Sequence, residues 1–284
     1  LKETWTVLKV LQWTAGYLKD KDVENARLDA ELLLAEVLDL DRIGLYLNYD
    51  RPLNAVELNA YRQMVGRRSR REPLQYILGR TEFWSLPFAV NPAVLIPRSD
   101  TEILVEEALA RAPAEGMILD VGTGSGAIAV ALAHELAGAR VVAIDTSAAA
   151  LEVATENAEH NGVAGRIDFR QLDLAGLPPG PFDLIVANPP YIPTADLAGL
   201  MPEVRDFEPA SALAGGSDGL DCYRLLAEQA AGHLVPGGWL LVEVGIGQAS
   251  PVRELFEQVG LREVFCRDDY GGIPRVVGGC RQEF

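Results

Sequence analysis

Met117-Ile118-Leu119-Asp120-Val121-Gly122-Thr123-Gly124-Ser125-Gly126 decides how this chain is built. Its first half reads as a buried strand, its alternating glycines as a tight turn, and the apolar run that follows, Ala127 to Ala137, as a helix. Glycine lets a backbone turn sharply and approach a ligand with no Cβ in the way. A second strand-like run, Arg140 to Ile144, leads into Asp145, whose carboxylate can accept both ribose hydroxyls of a nucleoside. Asp120, Gly122, Thr123, Gly124, Gly126 and Asp145 are therefore candidate cofactor-binding residues. The loop alone leaves two readings open, because Gly122, Gly124 and Ala127 also satisfy the G-x-G-x-x-G/A dinucleotide pattern, with Asp145 near the spacing that pattern needs.

Outward from the loop, strand and helix signals alternate: Ala148 to Asn161, Ile167 to Gln171, Leu184 to Ala187, Tyr223 to Leu234, Trp239 to Val244 and Val252 to Val259. Such alternation predicts an α/β fold with a mostly parallel sheet covered on both faces. The last two strand-like runs, Leu261 to Cys266 and Arg275 to Cys280, have no helix between them, which predicts a terminal antiparallel hairpin. Asp173, after the third strand, is a candidate acceptor for an adenine amino group, with helix capping as the alternative.

Asn188-Pro189-Pro190-Tyr191, directly after the apolar run 184–187, carries the chemistry. A conjugated NH2 is a poor nucleophile, and a catalyst must hold it by its hydrogens. The Asn188 side-chain oxygen and the Pro189 carbonyl are suitable acceptors. The prolines remove N–H donors and restrict the backbone, which keeps those carbonyls aimed outward. Tyr191 offers a flat face to a planar group. Placed at the carboxyl end of a strand, where open α/β sheets bind ligands, this box favours methyl transfer to nitrogen over hydride transfer.

The 284 residues carry a net charge of −16, unevenly spread. Residues 1 to 80 hold 13 Lys and Arg against 12 Asp and Glu, whereas residues 81 to 284 hold 12 against 29. The second segment would repel a phosphate backbone, which favours a protein or small-molecule substrate over nucleic acid. Cys222, Cys266 and Cys280 show no CxxC spacing and read as ordinary buried thiols. His134, His160 and His233 are scattered, so no metal site is expected. No apolar run is long enough for a membrane span, and Leu1-Lys2-Glu3 begins no leader pattern, so a cytoplasmic protein is expected.

From Thr4 to about Arg71 apolar residues recur at helical spacing, as in Leu28, Leu32, Ala35 and Leu38, with Asn25 as a cap; about four helices are expected. Arg67-Arg68-Ser69-Arg70-Arg71 reads as favourable charge at a helix C-terminus, or as a patch for RNA or an acidic partner. The stretch 73 to 97 is rich in aromatics. It reads as a hairpin, with Leu86-Pro87 separating its strands, that packs on the catalytic segment and borders its pocket.

These motifs together resemble the HemK/PrmC family, the protein-(glutamine-N(5)) methyltransferases of peptide-chain release factors. The resemblance spans nearly the whole chain. It is carried by Pro73-Leu74-Gln75-Tyr76-Ile77-Leu78-Gly79, Glu82-Phe83-Trp84, Ile96-Pro97-Arg98, Asp100-Thr101-Glu102, the glycine loop, Asn188-Pro189-Pro190-Tyr191-Ile192, Gly215-Gly216-Ser217-Asp218-Gly219-Leu220 and Glu243-Val244-Gly245. Ser99 stands where the family usually has proline, and Leu172-Asp173-Leu174 lacks the residues that often flank that Asp. The resemblance implies a seven-stranded, Rossmann-like class I methyltransferase sheet that uses S-adenosylmethionine, with a small N-terminal helical domain. It also implies a helical substrate-docking domain over 1–72, a hairpin linker over 73–97 and the methyltransferase domain over 98–284. The implied substrate is the glutamine of a Gly-Gly-Gln loop in a release factor. Asn188 and Pro189 then hold the amide NH2 and with Tyr191 form the catalytic set; Asn188, Pro189, Pro190 and Tyr191 line the substrate pocket, and Asn188 also counts among the cofactor-binding residues. Adenine-N6 methylation of RNA or DNA is the nearest alternative, because adenine also carries an NH2 on a conjugated carbon. A nicotinamide oxidoreductase and a catalytically idle docking module are further ones.

Overall fold

A computed structural model describes residues 4–282. Leu1, Lys2 and Glu3, on which the reading of a missing leader pattern rests, lie outside them. The chain forms two compact units, one running up to Gly79 and including Met201–Phe207, the other formed by Arg80–Leu200 and the residues from Glu208 onward.

The first unit is helical: α1 (Val7–Lys19), α2 (Ala26–Leu38), α3 (Arg42–Leu47), α4 (Ala55–Arg68) and α5 (Leu74–Leu78). The helices begin where side chains can take up orphan N–H groups. Thr6 accepts from Lys9 N, Asp41 accepts from Gly44 N, and Asn54 with Glu57 forms a reciprocal capping box. Asn25 stands at the start of α2 but makes no side-chain cap bond, since its backbone (φ −98°, ψ 38°) departs from the extended geometry a cap needs. The buried face of α2 is centred on Ala30, Leu33 and Leu34, with Leu28 exposed and Leu32 and Leu38 only half-buried. The stripe is rotated because Asp29 turns inward to meet Arg68.

Arg67 and Arg68 do close α4, as the helix-end reading has it, and that contact adds to the reading of the cluster. The Arg68 Nε donates to Asp29 at 2.6 Å and its Nη2 to Glu203 at 3.0 Å; Arg71 binds both Glu203 oxygens at 2.6 Å, and Arg67 binds Glu72. Burial pushes the Glu203 carboxyl up, but hydrogen bonds from Arg71 and Arg68 outweigh it and hold the group below the usual range. Three of the four arginines thus serve an internal ion-pair knot, and Arg70 alone of the four is exposed.

In the second unit a hairpin of β1 (Arg80–Phe83) and β2 (Leu86–Ala89) comes first. Leu86-Pro87 lies within β2, not between the strands. Phe83 pairs with Leu86, so Trp84 and Ser85 make the turn, with φ of 54° and 56°. Positive φ is unfavourable for such side chains. Trp84 is held there by its N–H to Glu102 and its indole Nε1 to Glu135, each at 2.8 Å, so the hairpin packs on its own unit. Tyr76-Ile77-Leu78 belongs to α5, which Gly79 ends at φ 73°.

The large sheet contains β3 (Met117–Val121), β4 (Arg140–Asp145), β5 (Ile167–Gln171), β6 (Phe182–Ala187), β7 (Leu234–Glu243), β8 (Arg262–Asp268) and β9 (Pro274–Cys280), in the order β5-β4-β3-β6-β7-β9-β8. β3 to β7 run parallel; β9 is antiparallel to both β7 and β8. It is the seven-stranded α/β sheet with an antiparallel end that the alternation predicts. Two apolar layers cover it, one built on Ala127–Ala133 and the other on Tyr223, Leu226, Val252 and Phe256. Strand order reverses between β3 and β6, so a crevice opens at their carboxyl ends. Register sharpens this: Val121 pairs with Ile144 on one side and Ala187 on the other, and Ala187 pairs with Val242. Asp145, Gly122, Asn188 and Glu243 therefore leave four neighbouring strands at one level.

No helix among the described residues is long and apolar enough to cross a membrane, and no group of three or more His, Cys, Asp or Glu there could hold a metal. Of the three thiols Cys280 is buried, whereas Cys222 and Cys266 are half-buried.

Candidate active site

A cleft of about 330 Å³ lies at those carboxyl ends within the second unit. It brings together Gly122, Gly124, Asp145, Asp173 and Asn188-Pro189-Pro190 from segments far apart in sequence. A larger hollow of about 670 Å³ belongs to the helical unit and contains none of the motif residues.

The glycine loop is shaped as a cradle. Gly122, Gly124 and Gly126 have φ of 74°, 56° and 80°. A Cβ on Gly122 would meet no other atom within 4 Å, so that position opens into free space, whereas one on Gly126 would sit 3.1 Å from the Ala154 Cβ. The first glycine leaves room at the cleft and the third allows close helix packing. Asp145 ties the loop down: its oxygens accept from Gly124 N and Ser147 N, each at 2.9 Å. Each carboxylate oxygen retains acceptor capacity, as two ribose hydroxyls require. The donor set and the open loop fit an adenosyl group.

Asp120 is fully buried behind the loop, where its Oδ2 accepts the Thr123 hydroxyl at 2.7 Å. Burial pushes its carboxyl up to about 7, against the pull of the Thr123 hydroxyl. Asp120, Thr123 and Gly126 thus shape the loop from behind and do not line the cleft. Asp173 is exposed at the rim. It performs the capping its alternative reading predicts, accepting from Ala175 N at 2.8 Å, and lines the cleft as well.

At the box, Asn188 is half-buried and its Nδ2 donates to the Thr101 hydroxyl at 3.2 Å. Pro190 and Tyr191 are backed by the Gly215–Gly219 loop: a Cβ on Gly215 would fall 2.7 Å from the Pro190 carbonyl oxygen, and one on Gly219 2.3 Å from that of Tyr191. Gln248 clamps the turn, donating to the Tyr191 carbonyl at 2.8 Å while its Oε1 accepts from Gly245 N. The Tyr191 ring lies against Gly245 and is not part of the cleft lining. Burial, with the nearby Glu243 carboxyl, pushes its phenol up.

Sequence reasoning missed several residues. Val94 and Leu95 from the linker and Cys222 and Leu226 from the helix Asp221–His233 line the cleft. Thr101 and Glu243 stand behind Asn188; a lone Glu ending the apolar run Leu240-Leu241-Val242 was a legible signal for the second.

The doubly wound sheet, its glycine cradle with Asp145 at the cleft, and an Asn-Pro-Pro box at the switch point define an S-adenosylmethionine-dependent methyltransferase. Solved structures agree on the fold: the hMettl16 catalytic domain superposes with a TM-score of 0.60 at 15% identity, covering 78% of this chain and 82% of that one. A methyltransferase from Pyrococcus furiosus gives 0.55 at 19%, covering 77% and 99%. Residues 9–79 match the PrmC N-terminal domain and residues 99–199 the methyltransferase small domain. The release factor glutamine methyltransferase of Geobacter sulfurreducens is 56% identical over 98% of this chain and 97% of its own length. That of Chlorobaculum tepidum is 42% identical over 96% and 97%. The chain belongs to the release factor glutamine methyltransferase family.

Proposed function

We propose that this enzyme transfers a methyl group from S-adenosylmethionine to the side-chain amide nitrogen of the glutamine in the Gly-Gly-Gln loop of peptide-chain release factors, in the cytoplasm. The observation that carries the reading is the state of Asn188. Its Nδ2 is engaged by Thr101, so the end left for a substrate is Oδ1, an acceptor suited to an NH2 group. Family membership supplies the substrate class.

Asn188 Oδ1 and the Pro189 carbonyl hold the two amide hydrogens and stabilise positive charge as it grows on the nitrogen. Pro190 fixes the direction of the turn, and Tyr191, whose ring packs on Gly245 outside the cleft lining, backs it. Asp145 takes the ribose hydroxyls, Asp173 the adenine amino group, and Gly122 and Gly124 admit the ligand close to the backbone. Bound there, S-adenosylmethionine supplies an electrophilic methyl on a positively charged sulfur. The chain's own contribution is alignment and charge stabilisation, so neither a nucleophilic side chain nor a dedicated base is needed. Residues 1–72 serve as the docking domain and 73–97 as the linker to the catalytic domain, 98–284. The acidic catalytic segment disfavours direct nucleic-acid binding.

Labelled methyl transfer from S-adenosylmethionine tests the reading. Label is expected on the release factor and not on the same factor with the tripeptide Gln changed to Ala. Label on RNA or DNA instead would transfer the assignment to adenine.

A further inference from the structure

An Asn side chain has two ends of nearly equal shape and opposite polarity, and only one orientation of Asn188 can hold a substrate NH2. Turned over, it would present its own NH2 to another. What selects the orientation is the polarity of the group behind it. That group is the Thr101 hydroxyl, which could accept from Nδ2 or donate to Oδ1 with equal ease. A threonine alone therefore does not settle the matter.

Glu243 does. Register places it level with Asn188 on the adjacent strand. Thr101 is 4% exposed and Glu243 2%, so water does not compete. Thr101 and Asn188 both lie close enough to the carboxyl to lower its affinity for a proton, and Asn188 Nδ2 in turn donates to the Thr101 hydroxyl. An ionised carboxylate only accepts, so beside it the single hydroxyl proton of Thr101 is drawn toward Glu243, leaving Thr101 Oγ1 with lone pairs alone to offer Asn188. The Glu243 Oε2 has no hydrogen-bond partner, which is costly for the fold and is the kind of expense found at functional sites.

We propose that Thr101 and Glu243 are positioning residues that fix the Asn188 amide with its Oδ1 toward the substrate, Glu243 setting the direction of the relay through the Thr101 hydroxyl. The proposal rests on the reading of Asn188 as the acceptor for the glutamine amide.

The relay is sensitive to pH. Burial pushes Glu243 up to about 7, opposed first by the Thr101 hydroxyl and then by Arg275, while Asp100 adds to the rise. Arg275 is shared with Asp100 at 2.7 Å and Asp269 at 3.0 Å. The Tyr191 and Tyr223 phenols also face the carboxyl, and burial keeps both neutral in this range. Below about pH 7 the protonated carboxyl can donate to Thr101, freeing that hydroxyl to draw Asn188 Oδ1 inward. Turnover should therefore rise with pH through about 7.

The test combines kinetics with NMR of the Asn188 side-chain amide, the second readout needing no release factor. Thr101→Val and Glu243→Gln should each lower kcat on the order of 10- to 100-fold, as loss of an orienting partner does, with the dissociation constant for S-adenosylmethionine within about twofold. Thr101→Ser should restore most of the loss. In the parent enzyme the Asn188 side-chain signals should titrate with a midpoint of about 7, and Glu243→Gln should abolish that titration. Full kcat in Thr101→Val, or Asn188 signals indifferent to pH in the parent enzyme, would overturn the relay. Signals that titrate as expected while the release factor stays unmethylated would support the relay and refute the substrate assignment instead.

Discussion

Buried charge is handled in opposite ways in the helical unit and at the sheet's carboxyl ends. In the helical unit Arg68, Asp29, Glu203 and Arg71 meet as cations and anions with short, multiple bonds. In the catalytic unit the carboxyls of Asp120 and Glu243 are buried against hydroxyls and apolar side chains, and each keeps one oxygen without a partner. Among the described residues the only other such oxygen, on Glu208, also lies in the catalytic unit, beside an Arg98 that binds its neighbour. A charge whose task is to hold helices together can be fully matched. One that must shape a loop or orient an amide is constrained by geometry first, and its satisfaction suffers.

The strongest way to break this contrast is Asn188→Ala. If the catalytic unit sacrifices stability to aim one acceptor, removing that acceptor should lower kcat on the order of 1,000-fold, as loss of a transition-state hydrogen-bond partner does. Cofactor affinity by calorimetry and folding stability should be nearly unchanged. Full turnover would show that the orphaned carboxyls behind Asn188 serve something else.

Arg68→Ala probes the other side. It strands Asp29, whose side chain is 7% exposed, and leaves Glu203 with Arg71 alone; breaking such a buried pair costs on the order of 3–5 kcal/mol. Urea unfolding measures it. The matched knot predicts a large loss of stability with kcat per folded molecule retained, the reverse of Asn188→Ala.

Asp145→Ala sits between these extremes. Asp145 both anchors the loop at Gly124 and, in the proposed reading, accepts the ribose hydroxyls. Losing hydrogen bonds to a charged group should weaken cofactor binding roughly 10- to 100-fold. An unaltered dissociation constant would confine Asp145 to the loop.

Most of the fold was legible because period and punctuation agree along the catalytic segment. Ile167–Gln171 begins and ends where its pattern does, and Gly126 marks the start of the following helix. Legibility failed where tertiary contacts overrule local pattern. Trp84 and Ser85 adopt a positive-φ turn that neither residue favours, because Glu102 and Glu135 hold the indole and its amide. The arginine cluster read as helix-end charge or a patch, and its ion pairs stayed hidden because its partners, Asp29 and Glu203, are remote in sequence. Asn188, Pro189, Gly122, Gly124 and Asp145 were visible as motifs and the structure brings them to one cleft. Thr101 is invisible as a site residue until folding places its hydroxyl against Asn188.

Asp120 offers a pH test of the unmatched class. The ordinary carboxyl value is 3.8 and the folded one about 7, so between them the native state holds a proton that the unfolded chain has released. Stability should therefore fall as pH rises from about 4 to 7 and level off above, by on the order of 4 kcal/mol from this group. Asp120→Asn keeps a partner for Thr123 and removes the titration. Its stability should exceed the parent's above about pH 7 and converge with it near pH 4. Parallel profiles for the two proteins would mean that Asp120 is better satisfied than its orphan oxygen suggests.

The smallest effect is the sharpest for the arginine cluster. Arg70 lies two residues from Arg68 and carries the same charge, yet its side chain is exposed. Charge at the end of α4 is common to both, whereas only Arg68 has buried carboxylates to neutralise. Arg70→Ala should therefore change stability by no more than about 0.5 kcal/mol, the usual range for an exposed site, against the several expected for Arg68→Ala. Equal losses for the two would make the cluster a matter of helix-end charge. A large gap between them locates the stabilisation in the pairing itself, and leaves Arg70 as the member of the cluster whose charge is open to a partner.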